Sequence, residues 1–385
     1  LGRIKRRAES VDGGSASTTT YSYDAQGRLT AATNGAATET YAYAAPNGNR
    51  SSATTPSGTV SSIVYDGQDR LKQYGAITYD YTLNGELRTK TEPGAKVTHY
   101  TYDTLGNLRS VVLPTTPLTT IDYVVDGMGR RVAKKVNGSV TKQWLYRDSL
   151  KPVAELNGSG QLVSTFVYAS NPITPDFMLR GGKTYRILTD QLGSPRLVIN
   201  IADANDRPFR ASYTAFGEAM ITGTPDFLPF GFAGGVYDLD TKLVRFGARD
   251  YDPMAGRWTA KDPILFDGGQ ANIYVYVNND PLNRTDPAGT GPSACTVAII
   301  ACLGLTAYLA LDDILDVKAW EEEAEEAKKD INQCEPTPEG TLQRRQREQQ
   351  AREACLRQHA DAVLETFMAA ACGSAVAAIC LAPTP

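Results

Sequence analysis

His99 and His359 are the only histidines in the chain, one inside a tyrosine-rich phrase and one in a charged C-terminal stretch. A Ser-His-Asp or Cys-His nucleophile needs an imidazole beside it, so neither system has a credible base. There is no phosphate-binding glycine loop, no dinucleotide fingerprint and no HExxH motif, and the six cysteines fit no CxxC metal spacing. No cofactor and no metal is expected. What remains is hydrolysis by carboxylates, in which two carboxyl groups at close range share a proton, one acting as acid while the other activates water. Among the chain's Asp-Pro steps are Asp262 in AKDPIL and Asp286 in RTDPAG, with Arg249 upstream in GARDYDP, spaced by 13 and then 24 residues. The plainer alternative is that Asp262 and Asp286 only initiate Asp-Pro turns, the carboxylate bonding its own backbone while proline sets φ. Asp250, Asp252 and Asp267 are assigned to turns by the same argument.

Those residues must be positioned by a chain that is repetitive. YSYDAQGRLTAA (21–32), IVYDGQDRLKQYG (63–75), YTYDTLGNLRSVV (100–112) and YVVDGMGRRVAKKVNG (123–138) are versions of one phrase. With Tyr23, Tyr43, Tyr65, Tyr81, Tyr102 and Tyr123 as markers, the intervals are 20, 22, 16, 21 and 21 residues. Tyrosines two apart place their rings on one face of a strand. Asp or Asn with Gly then permits the positive φ of a tight turn, and Arg-Leu or Leu-Arg opens a return strand. Each unit therefore reads as a β-hairpin. A single hairpin cannot bury its aromatic face, so neighbours must join edge to edge into a continuous, curving sheet. The tyrosine rows read as core or ladder packing, with sugar stacking on exposed rings as the alternative.

These phrases resemble the YD repeats of the RHS family of large secreted proteins. WLYRDSLKPVAELNGSGQLVSTFVY (144–168), YRILTDQLGSPRLV (185–198) and the long stretch 231–289 from GFAGGVYDLD to NRTDPAG resemble that family's closing segment, the RHS-repeat-associated core. The resemblance covers residues 21–289. It implies a mainly β fold, a hairpin array winding into a spiral, shell-like wall around a variable C-terminal segment that is often a toxin. Residues 1–230 would form the YD-repeat array, 231–290 the closing segment and 291–385 the variable module. In relatives with this core, two Asp-Pro aspartates form an aspartic-protease-like pair that cuts the chain after the second motif, with an upstream arginine implicated. Carried over, Asp262 and Asp286 are the pair, Arg249 the arginine, and Thr290–Gly291 the bond cut. Two departures stand out. The usual DPxGL ending is here Asp286-Pro287-Ala288-Gly289-Thr290, and DPIL replaces the frequent DPIG. The resemblance also implies export or a cell-surface location, a further N-terminal portion of the chain, the chain's own tail as enclosed cargo, and an immunity protein as partner. An array of this kind would alternatively serve as a passive adhesion or glycan-binding surface.

Composition bounds the rest. A chain of 385 residues exceeds the usual single core. With 34 Gly and 20 Tyr against 10 Phe and 3 Trp, it favours turns and strands over helices. A formal net charge of −4 supplies no basic field, so a nucleic-acid partner is not expected. Leu1 and the LGRIKRRAES opening read as the interior of a longer chain, not as a signal peptide.

All six cysteines lie beyond residue 294, where composition changes. An apolar run (295–311), an acidic run, the breaker CEPTPEG (334–340), a basic run and a second apolar run (368–382) predict a small α-helical hairpin. Folding about the breaker, near residue 337, sets Cys295 opposite Cys380 and Cys302 opposite Cys372. Two disulfides in an oxidising compartment follow, with buried free thiols as the alternative. The apolar arms also permit insertion into a target membrane, although the first is marginal in length for a span. A nuclease in this tail would have few ligands or acid–base groups beyond His359 and helix-surface carboxylates.

Overall fold

The computed structural model describes residues 2–10, 14–44 and 47–292, all within one compact unit, Leu1–Ile300. The helical hairpin and the pairs Cys295–Cys380 and Cys302–Cys372 lie outside the described residues. What is described is mainly β, its helical pieces being 3-10 turns of three or four residues.

The unit at 17–34 shows why these phrases make hairpins. Ser17–Tyr23 pairs antiparallel with Leu29–Asn34, and the alternation of a strand turns Tyr21, Leu29 and Ala32 inward. Asp24 closes the turn, its Oδ1 accepting the Arg28 N–H at 2.9 Å and its Oδ2 accepting Arg28 Nε–H at 2.6 Å. Three residues after the aspartate the backbone must be left-handed, which Gly27 supplies at φ +83. The unit at 63–74 has no glycine there, and Asp69 takes the conformation at φ +60, as aspartate tolerates better than most residues. Beside the second tyrosine the register slips by one residue, at Tyr23, Tyr43, Tyr65 and Tyr102 alike. Such a bulge sharpens twist at each turn.

In several units that second tyrosine ties the hairpin to its predecessor. Tyr43 Oη donates to Leu29 O at 2.7 Å, Tyr146 to Arg131 O at 3.0 Å and Tyr168 to Pro152 O at 2.9 Å. In each case the acceptor is an early residue of the preceding return strand. Arg28 lies 4.7 Å above the Tyr43 ring and Arg130 5.4 Å above that of Tyr146, so the turn arginine pairs with its own aspartate and covers the next unit's tyrosine. Burial pushes the Tyr146 hydroxyl up to about 12, keeping it a donor. Tyr123 is a different case. Asp126 opens its turn as Asp103 does, so Tyr123 matches the buried Tyr100, and Val125 stands where Tyr102 would. The interval of 21 between Tyr102 and Tyr123 thus joins two unlike positions.

Successive hairpins pair laterally in strict chain order. Six strands from Arg6–Glu9 to Gly58–Val60 make one sheet, and sixteen from Ile63–Tyr65 to Ala219–Gly223 make a second, every neighbouring pair antiparallel. The wall is therefore two sheets, not the single one expected, the break falling between Val60 and Ile63. Its ends meet: Arg196 Nη2 is 3.0 Å from Glu9 Oε2, the Ala215 N–H donates to Glu39 Oε2 at 2.8 Å, and Ser57 Oγ donates to Glu218 Oε1 at 2.9 Å.

From residue 225 the pattern changes. Short strands Val236–Tyr237, Val244–Phe246, Arg249–Asp252 and Arg257–Trp258 form a four-stranded antiparallel sheet. Phe232, Phe246, Tyr251, Trp258 and Tyr276 form an aromatic cluster at its centre. The segment then travels back along the turns of the wall. Arg245 Nη2 donates to Asn107 Oδ1, Arg257 Nη1 to Asn49 Oδ1, Tyr274 Oη to Gly85 O and Asn283 Nδ2 to Tyr23 Oη, at 2.9–3.1 Å.

Candidate active site

Arg249 enters from the third strand of the small sheet, Asp262 from the loop after Trp258, and Asp286 from the turn that ends the segment. All three are at most 2 % exposed. Arg249 Nη2 lies 2.6 Å from Asp262 Oδ2 and 3.1 Å from Asp286 Oδ2, so one nitrogen holds an oxygen of each carboxyl group. The guanidinium is fixed on its other sides. Nε–H donates to Gly289 O at 2.6 Å, Nη1–H donates to Ile273 O at 3.1 Å, and its plane rests 4.1 Å from the Trp258 ring centre. Planar donors and an aromatic support make this an arginine site that lysine could not reproduce.

The remaining carboxylate oxygens bind backbone. Asp262 Oδ1 accepts the Ile264 N–H at 3.0 Å and so shapes the loop that follows. Asp286 Oδ1 accepts the Thr290 N–H at 2.9 Å, and the Gly291 N–H also bonds this carboxyl group. Both aspartates thus initiate Asp-Pro turns, and both also converge on one arginine. Burial raises the Asp286 carboxyl above the ordinary aspartate range; Arg249 and the Gly291 and Thr290 N–H groups offset this, while the Asp262 charge adds to it. Burial depresses Arg249, and the two carboxylates oppose that. Two acids facing one cation leave the site one negative charge in excess when both ionise, so a single retained proton makes it neutral. That is the protonation state in which one carboxyl group can give a proton and the other take one.

Residues 286–291 are pinned beside this triad. The Ala248 N–H donates to Ala288 O at 2.9 Å, and Gly289 is buried with its backbone against Phe246 and Ala248. Thr290 and Gly291 are half-buried. Gly268, which the sequence reading passed over, faces them: a Cβ there would sit 2.8 Å from Thr290 O and 3.0 Å from Asp262 Oδ2. Trp258 was also missed as the arginine's support. Its presence in GRWTAKDP, four residues before Asp262, was the available signal.

The assignment of Asp250 to a turn is corrected. It lies within a strand, 2 % exposed, and bridges Arg131 Nη2 at 2.8 Å and Arg245 Nη1 at 2.9 Å. Arg131 is 119 residues away in the wall, so no local pattern reveals the pairing. Asp252 does cap a turn through the Met254 N–H at 3.0 Å, and Asp267 lies in the 3-10 turn Leu265–Gly268. His99 stands exposed on the strand Lys96–Tyr102. Among the described residues no group of three or more His, Cys, Asp or Glu side chains could hold a metal ion, and no helix is long and apolar enough to cross a membrane.

Comparison with known proteins places the chain in a family. Residues 1–282 match the Teneurin YD-shell model. Teneurin-3 of Mus musculus is 31 % identical over 298 residues, covering 74 % of this chain and 11 % of that protein. The tRNA3(Ser)-specific nuclease WapA of Bacillus spizizenii is 29 % identical over 252 residues, covering 63 % of this chain and 10 % of that protein. The crystal structure of TcdB2-TccC3-TEV aligns with a TM-score of 0.40 at 16 % identity, over 74 % of this chain and 19 % of that one. The chain spans about a tenth of the length of the curated relatives it matches. Tyrosine-marked hairpins paired in chain order and the family match over residues 1–282 lead to one conclusion: this is an RHS/YD-repeat shell protein, and it belongs to the Teneurin YD-shell family.

Proposed function

We propose that the chain is the closing part of an exported shell that encloses its own C-terminal segment and frees it by hydrolysing the Thr290–Gly291 bond. In this reading residues 1–230 build the wall, 231–290 close it and carry the protease, and 291–385 are the cargo. The observation that carries it is the shared nitrogen of Arg249, which holds Asp262 and Asp286 while Asp286 also bonds the backbone N–H groups of residues 290 and 291. The nitrogen of Gly291 is the leaving group, and Asp286, which accepts from its N–H, lies next to it. Asp262, on the carbonyl side, takes a proton from the attacking water. Water oxygen bonds to the Thr290 carbonyl carbon, the C–N bond breaks, and Asp286 gives its proton to Gly291 nitrogen. One water is consumed, leaving a Thr290 carboxyl and a Gly291 amine. Arg249 steadies the charge of both carboxyl groups throughout.

A relative named as a nuclease shares the shell region, which supports a wall that accompanies a separate activity. The cargo's target, whether a membrane or another molecule, and an immunity protein that would restrain it belong to this same reading. Intact mass of the purified chain beside Asp262→Asn and Asp286→Asn tests it. The expected result is two fragments meeting between 290 and 291 for the wild type and whole chains for both variants; a wild-type chain that stays whole removes self-processing.

A further inference from the structure

We infer that the bare face of Gly268 seats the bond to be cut, making Gly268 a positioning residue that selects Thr290–Gly291 through backbone approach. The inference rests on the self-cleavage reading and deepens it.

Gly268 needs no special backbone angle, since its φ lies outside the left-handed region. Its lack of a side chain is therefore a matter of space. An added Cβ would meet Thr290 O at 2.8 Å, Asp262 Oδ2 at 3.0 Å and Asp262 Cγ at 3.5 Å. The carbonyl of the bond to be cut and the oxygen of the proposed base thus lie on the same side of one glycine, each within about 3 Å of a common point, and so no more than about 6 Å apart. Within that span a water hydrogen-bonded to Asp262 Oδ2 can bring its oxygen to the Thr290 carbonyl, the arrangement a general base needs when it acts through water. From the other side Gly291 presents a second bare face: a Cβ on it would sit 3.1 Å from Gly268 O. Two glycines therefore press backbone to backbone at the bond, and neither contact involves the Thr290 side chain. This accounts for how a β-branched polar residue can occupy position 290.

Asp262 builds the loop it depends on. Its Oδ1 and backbone oxygen hold the Ile264 and Leu265 N–H groups, carrying the chain into the 3-10 turn Leu265–Gly268 and bringing Gly268 back over Oδ2. Gly269 next door is an internal control. It is left-handed at φ +73, and a Cβ there meets nothing within 4 Å.

The test compares cleavage of the full chain in the wild type, Gly268→Ala and Gly269→Ala by time-resolved intact mass, with thermal unfolding of each. Gly268→Ala should slow cleavage about 100-fold, the size of effect a displacement near 1 Å produces, with little change in Tm. Its residual activity should show a displaced pH–rate limb because the Asp262 carboxylate is pushed aside. Gly269→Ala should lose stability through backbone strain, yet cleave within a few-fold of wild type with an unchanged pH profile. If Gly268→Ala fails to fold, Gly291→Ala probes the same contact from the opposite face, with the backbone strain at its φ of +158 read separately from Tm, and should slow cleavage about tenfold, a smaller misplacement by the same reasoning. A wild type that cleaves while Gly268→Ala or its substitute cleaves equally fast overturns this inference and leaves self-processing standing. Equal slowing by both loop variants with one common pH profile overturns it too. A wild type that never cleaves sinks both.

Discussion

Arg28 and Asp24 meet four residues apart at 2.6 Å with side chains 15 % and 20 % exposed, whereas Arg249 and Asp286 meet 37 residues apart at 3.1 Å with both at 1 %. The wall and the closing segment use the same residue types for opposite purposes. In the wall the turn aspartates, such as Asp24, Asp66 and Asp126, serve their own turns, and partial solvent keeps the pair cheap and weak. Asp66 illustrates it: slight burial would raise the carboxyl, but the Arg70 side chain and the Gln68 and Arg70 N–H groups hold it below the usual range. In the closing segment the pairs are buried and reach across the fold, binding the segment to the wall at Asp250–Arg131 and to itself at Arg249. Local charge shapes hairpins, and long-range buried charge fixes where the chemistry sits.

Removing Arg249 should break this contrast most visibly. Arg249→Leu leaves two buried carboxylates without a cation, so cleavage should vanish and urea unfolding should show a loss of about 3–5 kcal/mol at pH 8. That loss should shrink in acid as the carboxyl groups protonate. Asp250→Ala strands two buried guanidiniums instead, and about 3 kcal/mol is expected with no such relief at low pH. A chevron or equilibrium titration at pH 5 and pH 8 separates the two variants. Asp286→Asn should do the reverse of harm to stability. The raised carboxyl means that folding favours its protonated form, so its contribution is complete below the unfolded value of about 4 and declines as pH rises through the folded value. The asparagine variant should therefore gain on wild type in Tm as pH climbs from 4 to 8. A gain that stays flat across that range would argue against a raised Asp286.

The wall should respond far less. Tyr146→Phe removes one link between neighbouring hairpins and should cost about 1 kcal/mol, seen as faster amide exchange at Arg131–Val136 and Ser139–Tyr146. Arg28→Lys keeps the charge at a partly buried pair but gives up the Nε contact with Asp24 and the stacking over Tyr43, so a loss of only about 0.5 kcal/mol is expected. A large effect at Arg28 would erase the distinction between the two regions.

How far the sequence could be read follows the same division. The hairpins were legible because Asp24, Gly27 and Arg28 act within five residues and tyrosine alternation has period two. The break between Val60 and Ile63 was not, since nothing in the adjoining serines marks a failure to pair. Asp262 and Asp286 came from a family resemblance, and their convergence on Arg249 shows only in three dimensions. Asp250 was misread because its partners stand in other strands. Gly268 was invisible for a further reason: glycine among turn residues looks like a conformational device, and only coordinates show that its missing Cβ leaves room for a neighbour's carbonyl.

The tyrosine hydroxyl links to backbone carbonyls in the wall point one way, from a later residue to an earlier carbonyl: Tyr23 to Ile4, Tyr43 to Leu29, Tyr146 to Arg131, Tyr213 to Pro195. A chain delivered amino end first can lay each new hairpin on a finished template, so growth of the wall is vectorial. The closing segment breaks that order, since it runs back to contacts at Tyr23 and Gly85, and its arrival reports that every earlier course has been laid.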